Sequence, residues 1–243
     1  MIIFCDFDRT FYFEHDMART EANLVAVQKW KSAGNQFCIA TGRSWGSFNH
    51  QCHKLAQLCD YMILDGGSLI YDSEGMIYNI FAFSSEVLDE IEETTSKVSY
   101  VFRTLYFTPD YEGFEPQAEN VTKIRLWLKE LAEAEEVSKM FEGLPLFVFI
   151  CRSSGNLRHQ ELDGFTCFVE LIPKDSGKAK AIEMLALKEG LAPKEIIVVG
   201  DSGNDYDAIE RYDGYMIADS DLARDGSPFK VVESLADLIN NTI

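Results

Sequence analysis

The 243-residue sequence is poor in positive charge and has no long apolar run. Its 22 lysines and arginines stand against 40 aspartates and glutamates, so the formal net charge at pH 7 is −18. A protein that holds nucleic-acid phosphates or anionic lipid needs the opposite balance of charge. A membrane-spanning helix needs about 18 or more consecutive apolar residues. We therefore expect neither nucleic acid nor a membrane as a partner.

We also expect neither paired cysteines nor a signal peptide. The six cysteines stand apart, without a C-x-x-C pair, and several lie in apolar runs, as reduced buried thiols do. Residues 1–8 carry acidic side chains where a signal peptide carries positive charge. We expect a cytoplasmic protein without a disulfide framework or a zinc cluster. The oligomeric state is not indicated.

What the sequence does have is the pattern of an α/β fold. Apolar residues make up 47% of the chain, and a chain of this size buries roughly 70% of its unfolded surface. Short apolar runs separated by helical periodicity are typical of parallel strands buried on both faces. The runs lie at residues 2–5, 37–40, 61–64 and 196–199, and the first helical segment lies at residues 18–33. The sequence predicts a parallel α/β core.

The pattern changes in the middle of the chain. Residues 121–128 alternate between apolar and polar side chains, and a helical segment follows at residues 131–141. Alternation is typical of an antiparallel sheet with one solvent-exposed face. We predict a core in two parts, residues 1–81 and 171–243, and a smaller α+β domain at residues 82–170. An insert that returns to one sheet is expected to act as a lid.

Polar clusters follow three of the predicted core strands. Because the carboxyl ends of parallel strands meet at one edge of a sheet, we expect these clusters to share one cleft. Four carboxylates there would repel one another unless a hard divalent cation, most simply Mg²⁺, lies among them. The polar residues after the strands are Asp6, Asp8, Thr41, Gly42, Asp201, Asn204 and Asp205.

The same clusters carry groups that bind phosphate. A hydroxyl, a glycine backbone, an amide and the lysine Lys178 are all suited to phosphate oxygens. One carboxylate can attack phosphorus, and a second one two residues further on can protonate the leaving oxygen. A metal ion and a lysine can neutralise the developing charge. This division of labour predicts an aspartate-based phosphotransferase.

The motifs resemble those of the haloacid dehalogenase superfamily of phosphatases. Asp6-Phe7-Asp8-Arg9-Thr10 resembles the D-x-D-x-T motif, Thr41 the second motif and Lys178 the third. Residues 200–205 resemble the fourth motif in its G-D-x-x-N-D form. The insert lies where the type IIB cap stands in the Cof-like sugar phosphatases, sucrose-phosphate phosphatases and phosphomannomutases. The resemblance implies a Rossmann-like core, an α+β cap domain and magnesium dependence.

The resemblance also implies a role for each motif residue. Asp6 would be the nucleophile and a magnesium ligand, and Asp8 the general acid and base that also offers magnesium a backbone carbonyl. Asp201 would be a direct metal ligand, and Asp205 a ligand or an anchor of the ligands. The phosphoryl group would be held by Thr41, the Gly42 backbone and Lys178, with Asn204 steadying the phosphate or the loop.

Two positions depart from the family pattern, and four further side chains are alternative or additional candidates. Arg9 stands where the family usually has glycine, and Asp65 begins a turn where Cof-like members often show Asn-Gly-Ala. The first change affects the loop beside the nucleophile, and the second adds negative charge near the phosphate pocket. Lys180 competes with Lys178 for the third motif but faces elsewhere on a helix. In the insert, Arg152, Arg158 and His159 are candidate cations for a substrate.

The leading interpretation is a magnesium-dependent phosphatase that hydrolyses a small phosphorylated metabolite through an aspartyl phosphate, and a sugar phosphate is the favoured kind of substrate. A phosphosugar mutase would use the same intermediate, and dependence on a bisphosphate activator would identify it. A non-catalytic phosphate-binding or phosphoacceptor module would instead hold a stable phosphoaspartate without turnover. The sequence does not name the substrate, because the insert residues that would select it depend on loop geometry.

Overall fold

The computed structural model describes residues 1–99, 102–152, 162, 164–223 and 227–243. The chain forms two compact units, the first made of Met1–Asn79 and Gly177–Ile243 and the second of Ile80–Ser176. The predicted cap limits, residues 82 and 170, stay a prediction. Among the described residues, no helix combines the length and the apolar character that crossing a membrane requires.

The helices and strands alternate in the first unit and are mixed in the second. In chain order they are β1 (Ile2–Cys5), α1 (Met17–Ser32), β2 (Gln36–Ala40), α2 (Trp45–Ala56), β3 (Tyr61–Leu64), β4 (Leu69–Asp72), β5 (Ile77–Ile80), α3 (Ser85–Ser96), β6 (Arg103–Thr108), β7 (Tyr111–Gly113), β8 (Lys123–Leu128), α4 (Leu131–Met140), β9 (Leu146–Arg152), β10 (Cys167–Pro173), α5 (Lys178–Glu189), β11 (Ile196–Gly200), α6 (Tyr206–Arg211), β12 (Tyr215–Ile217), β13 (Lys230–Val232) and α7 (Leu235–Thr242).

The sheet of the first unit has the order β13-β12-β11-β1-β2-β3-β4-β5. The strands from β13 to β3 pair in parallel, which confirms the predicted parallel-rich α/β core. Strand β4 pairs antiparallel with β3 and was not predicted. A tight turn makes this reversal, because Asp65, Gly66 and Gly67 all have positive φ, at 51°, 71° and 112°.

Strand β1 lies in the middle of this sheet, between β11 and β2. Each residue of Ile2–Cys5 is at most 1% exposed, because neighbouring layers cover both faces of a central parallel strand. This position explains the unbroken apolar run. It also sets the carboxyl ends of β11, β1 and β2 side by side, and these are the ends that carry the polar motifs.

The second unit contains a five-stranded antiparallel sheet in the order β7-β6-β8-β10-β9. One face packs against helices α3 and α4. Ile91 of α3 and Val137 of α4 share an apolar core with Ile124, Leu126 and Val169 of the sheet. This core is the physical basis of the alternating pattern in the sequence.

The opposite face of this sheet was expected to be solvent-exposed, and on β8 that expectation is wrong, although Arg103 of β6 on the same face is exposed. Lys123 is fully buried, and its Nζ lies 4.2 Å from the centroid of the Phe107 ring. Arg125 is fixed by Glu170, with 2.5 Å between Nε and Oε2. Ion pairing and aromatic rings thus allow cations to lie inside the protein. Of the cations singled out in the insert, Arg152 is exposed, and Arg158 and His159 lie outside the described residues.

Candidate active site

Three buried carboxylates converge at the carboxyl edge of the first unit's sheet. Asp6 follows β1, Asp201 follows β11, and Asp205 ends the short turn after β11. Their exposed fractions are 7%, 7% and 2%. Each carboxylate offers an oxygen that lies within 4.8 Å of the oxygens of the other two. The structure thus brings together three of the four predicted acidic residues.

Lys178 reaches into this carboxylate group from the first position of α5. Its Nζ lies 2.6 Å from Asp6 Oδ1 and 2.6 Å from Asp205 Oδ1. The same atom lies 3.3 Å from Asn204 Oδ1. Lys178 is 3% exposed, whereas Lys180 is exposed and pairs with Glu183 at 2.9 Å. The structure therefore selects Lys178 between the two competing lysines as the one that contacts the carboxylates.

The start of α5 is held close to the turn after β3. A Cβ added to Gly67 would lie 2.1 Å from the carbonyl carbon of Gly177, so only glycine allows this approach. Gly177 caps α5 with a φ of 107°, a value that glycine adopts readily. The glycines at this contact thus fix the position from which Lys178 extends.

The buried cluster carries more negative than positive charge. Burial raises the pKa of Asp6 well above its ordinary value, and the charge of Lys178 opposes this rise. Burial, together with the charge of Asp205, raises the pKa of Asp201 to about 6. For Lys178, burial alone would lower the pKa, but the charges of Asp205 and Asp6 outweigh it and raise the pKa. Three carboxylates and one ammonium carry a net negative charge when ionised, and a further cation would neutralise it.

The donor set fits a hard divalent cation. The cluster offers carboxylate oxygens from Asp6, Asp201 and Asp205, and oxygen is the ligand atom that Mg²⁺ prefers. No sulfur or imidazole belongs to this group among the described residues. The acidic cluster is therefore suited to magnesium rather than to zinc.

Asp205 also anchors the loop that carries Asp201. Its Oδ2 accepts hydrogen bonds from the backbone N–H groups of Asp201 and Ser202, at 3.3 Å and 3.2 Å. A Cβ on Gly200 would lie 2.3 Å from Asp205 Cγ, so the loop requires glycine there. With Oδ1 on Lys178 and Oδ2 on the loop, both oxygens of Asp205 are engaged. This arrangement favours the anchor among the two roles that the motif implies.

Asp8 does not join this cluster, because Arg43 holds its side chain. Arg43 donates from Nε to Asp8 Oδ2 at 2.7 Å and from Nη2 to Oδ1 at 2.6 Å. Arg43 also donates to Ser47 Oγ at 3.2 Å, and its guanidinium lies 5.2 Å from the Phe7 ring centroid. Arg43 was not predicted as a partner of Asp8. The one sequence feature that pointed to it is its position directly after Thr41-Gly42.

The predicted phosphate-binding residues lie around the same strand ends. Thr41 directly follows β2 and is 1% exposed, and its Oγ1 accepts a hydrogen bond from the Arg43 backbone N–H at 3.2 Å. Gly42 follows it. Asn204 Oδ1 accepts from Ser202 Oγ at 2.8 Å as well as from Lys178. Asn204 is thus part of the cluster, and Thr41 and Gly42 lie at the end of the neighbouring strand.

Arg9 adopts the backbone conformation of a glycine. Its φ is 59°, a left-handed value that few residues other than glycine adopt. Its Nε lies 3.4 Å from Asp201 Oδ2, and its Nη2 donates to the Asp219 carbonyl at 3.2 Å. Arg9 therefore has a backbone conformation that glycine adopts readily, and its side chain adds a guanidinium beside Asp201.

Solved structures share this fold at low sequence identity. A haloacid dehalogenase-like hydrolase from B. subtilis is 16% identical, with 100% of this chain and 99% of that chain covered and a TM-score of 0.76. A HAD/Cof-like hydrolase from Plasmodium vivax is 16% identical over 99% of this chain and 94% of that chain, with a TM-score of 0.76. A sugar phosphatase of HAD subclass IIB is 15% identical over 99% and 97%, with a TM-score of 0.73.

Two family models match the sequence itself. The model of sucrose-6F-phosphate phosphohydrolase matches residues 149–224. The model described as haloacid dehalogenase-like hydrolase matches residues 3–138, which is more than half of the chain. This second match begins at β1 and includes the Asp6 and Thr41 motifs, and the structure brings the remaining motifs to the same sheet edge. The chain is a hydrolase and belongs to the haloacid dehalogenase-like hydrolase family.

Proposed function

We propose that the protein is a magnesium-dependent phosphatase that hydrolyses a small phosphorylated metabolite of the sugar-phosphate class through an aspartyl phosphate. The observation that carries this proposal is the buried contact of Asp6 with Lys178, 2.6 Å long, next to Asp201 and Asp205. A carboxylate so placed can attack an electrophile while a fixed ammonium neutralises developing charge.

In the first half of the reaction, a carboxylate oxygen of Asp6 attacks phosphorus. The bond from phosphorus to the leaving oxygen breaks, and the carboxylic acid of Asp8 gives its proton to that oxygen. In the second half, a water molecule attacks the phosphorus of the aspartyl phosphate and gives a proton to the Asp8 carboxylate. Inorganic phosphate leaves and Asp6 is restored, so the protons balance over the cycle.

This scheme requires Asp8 to leave Arg43. Both oxygens of Asp8 accept hydrogen bonds from Arg43, so Asp8 cannot donate a proton to a leaving group in that position. The Asp8 side chain is 48% exposed, which leaves it space to turn. We propose that the pair is the resting arrangement and that substrate binding separates it.

Lys178, Thr41, the Gly42 backbone and Asn204 are proposed to hold the transferring phosphoryl group. The magnesium ligands are proposed to be Asp6, Asp201 and the backbone carbonyl of Asp8, with Asp205 as a further ligand or, as its contacts favour, the anchor of the loop. When bound, magnesium supplies positive charge against the oxygens of the phosphoryl group. Buried Lys178 supplies a fixed part of the same charge.

The substrate class is proposed from the relatives. One matching family model is that of a sucrose-phosphate phosphohydrolase, and one solved structure of the same fold is a sugar phosphatase. The second unit is inserted between the Thr41 and Lys178 motifs, where the type IIB cap stands in that group. We propose that this unit acts as the cap and selects the leaving group.

Phosphate release from p-nitrophenyl phosphate tests the proposal. We expect turnover that needs Mg²⁺, that a chelator abolishes, and that Asp6→Asn lowers by at least about a thousand-fold. Asp207→Asn is the matched control, because this aspartate is exposed and lies two positions after Asp205. Turnover that survives Asp6→Asn would exclude the aspartyl phosphate. A stable phosphoaspartate without phosphate release would indicate a phosphoacceptor instead.

A further inference from the structure

Arg9 places a positive charge next to a proposed metal ligand. Its Nε lies 3.4 Å from Asp201 Oδ2. The Asp201 side chain is 6% exposed, whereas the Arg9 side chain is 59% exposed. An arginine thus approaches a buried carboxylate from the solvent side, where it can also withdraw.

A second contact fixes the direction of this approach. Arg9 Nη2 donates to the backbone carbonyl of Asp219 at 3.2 Å. The next residue, Ser220, donates from its hydroxyl to the backbone carbonyl of Asp201. Arg19 holds the carboxylate of Asp219 and donates to the Glu233 carbonyl at 2.6 Å. The loop at residues 219–220 therefore ties Arg9 and Asp201 to the same support.

The backbone of Arg9 is adapted to this arrangement at a cost. A φ of 59° is unfavourable for a residue with a Cβ, because the Cβ then lies too close to the following carbonyl oxygen. Glycine would remove this cost and also the guanidinium. The side chain therefore adds a contact with Asp201 that the loop conformation itself does not need.

We propose that Arg9 is a positioning residue that competes with the divalent cation for Asp201 Oδ2 and so lowers the affinity of the site for Mg²⁺. The inference rests on the proposed function, because it takes Asp201 as a metal ligand. A guanidinium and a divalent cation that share one carboxylate repel each other, and each weakens the binding of the other. Arg9 must withdraw, or share Asp201, whenever the cation binds.

Calorimetric titration of the full-length protein with Mg²⁺, without substrate, tests this inference. We expect the dissociation constant of Arg9→Gln to be roughly three- to five-fold lower than that of the unmodified protein, the range for a partly exposed ion pair. Arg9→Lys keeps the charge, and we expect its dissociation constant to stay within about two-fold of the unmodified value. High salt should narrow the difference between Arg9→Gln and the unmodified protein.

Two further variants distinguish the effect of the Arg9 guanidinium from two other effects. These are the relief of backbone strain and the change in the protein's net charge. Arg9→Gly removes the strain as well as the guanidinium, so we expect it to match Arg9→Gln. Lys194→Gln removes one exposed positive charge just before β11, at the end of that strand opposite to Asp201, so its Mg²⁺ affinity should be unchanged. A gain in affinity for Arg9→Gly alone, or an equal gain for Lys194→Gln, would overturn the inference.

The same titration distinguishes a failure of the proposed role of Arg9 from a failure of the proposed magnesium site. Equal affinities for the unmodified protein and Arg9→Gln overturn the role of Arg9 and leave the magnesium site standing, provided that Asp201→Asn abolishes the binding heat. Binding that persists in Asp201→Asn comes from another site and overturns the inference. Absence of Mg²⁺ binding in every variant overturns both the inference and the proposed metal dependence.

Discussion

Arg43 binds both carboxylate oxygens of Asp8, with 2.7 Å from Nε to Oδ2 and 2.6 Å from Nη2 to Oδ1. The pair joins the loop after β1 to the loop after β2, and the Arg43 guanidinium also lies 5.2 Å from the Phe7 ring centroid. Two parallel hydrogen bonds fix a carboxylate in orientation as well as in distance. Arg43 thus determines where Asp8 rests.

A double-mutant cycle measures this pair. We expect Arg43→Met and Asp8→Asn to be coupled by about 1 kcal/mol in the free energy of unfolding, because the side chains are 23% and 48% exposed and solvent weakens the attraction. Urea unfolding of the two single variants and the double variant gives the coupling. Strictly additive effects of the two substitutions would show that the pair does not stabilise the fold.

Lys178 is expected to be essential for stability as well as for turnover. Lys178→Met leaves Asp6 and Asp205 buried without their shared cation, and removing one partner of a buried ion pair costs about 3–5 kcal/mol. Urea unfolding should show this loss. Phosphate release should fall at least about a hundred-fold.

Lys180→Met is the matched control for Lys178→Met, since Lys180 is exposed and lies on the same helix. We expect its unfolding free energy to stay within about 0.5 kcal/mol of the unmodified protein. Equal effects of the two substitutions would contradict the account of the buried cluster.

The central strand and the motif order were predictable from the sequence because they depend on local pattern. Strand β1 is an apolar run with both faces covered, and its bounds agree with the prediction at residues 2–5. The pairing of Arg43 with Asp8 was not predictable, since it joins residues 35 positions apart through side-chain orientation alone. Sequence periodicity carries no information about side-chain orientation of that kind.

The charged face of the second unit shows the same limit. The alternation of apolar and polar side chains in β8 correctly indicates two unlike faces. It does not indicate whether the polar face is exposed to solvent. Lys123 is buried against Phe107, and Arg125 is paired with Glu170 on the neighbouring strand. These contacts arise from strand pairing, which the sequence of one strand does not specify.

Cys151 is expected to resist alkylation in the folded protein. Burial, followed by the charge of Glu170, raises the pKa of this thiol to about 12. At pH 8, about one molecule in ten thousand then carries the reactive thiolate, whereas an unfolded chain has a thiol pKa near 8.5. Iodoacetamide labelling followed by peptide mass mapping should be at least about a hundred-fold slower than in urea.

Glu170→Gln tests whether the charge of Glu170 contributes to the slow alkylation of Cys151. Removing the negative charge lowers the Cys151 pKa, so labelling of Cys151 in the folded protein should become faster. Cys167 lies in the same unit and is 1% exposed, so its labelling reports unfolding of the unit. Faster labelling of Cys167 to the same extent would assign the change to unfolding rather than to charge.

Gly200→Ala is expected to disrupt the cluster through a single methyl group. The added Cβ would lie 2.3 Å from Asp205 Cγ and 2.5 Å from its Oδ2. Asp205 must then move away from the loop N–H groups and from Lys178. Overpacking of this kind costs about 1–3 kcal/mol in unfolding free energy, and we expect phosphate release to fall at least about ten-fold.

Gly203→Ala makes the same chemical change in the same loop without a collision. In the part of the chain that the structure describes, no heavy atom of a residue beyond the local backbone lies within 4 Å of a Cβ built there. Thermal unfolding of this variant should therefore match that of the unmodified protein. Unchanged stability and phosphate release in Gly200→Ala would mean that Asp205 tolerates displacement. Asp205 would then not be the anchor of the Asp201 loop, and the buried network around Lys178 would not depend on its position.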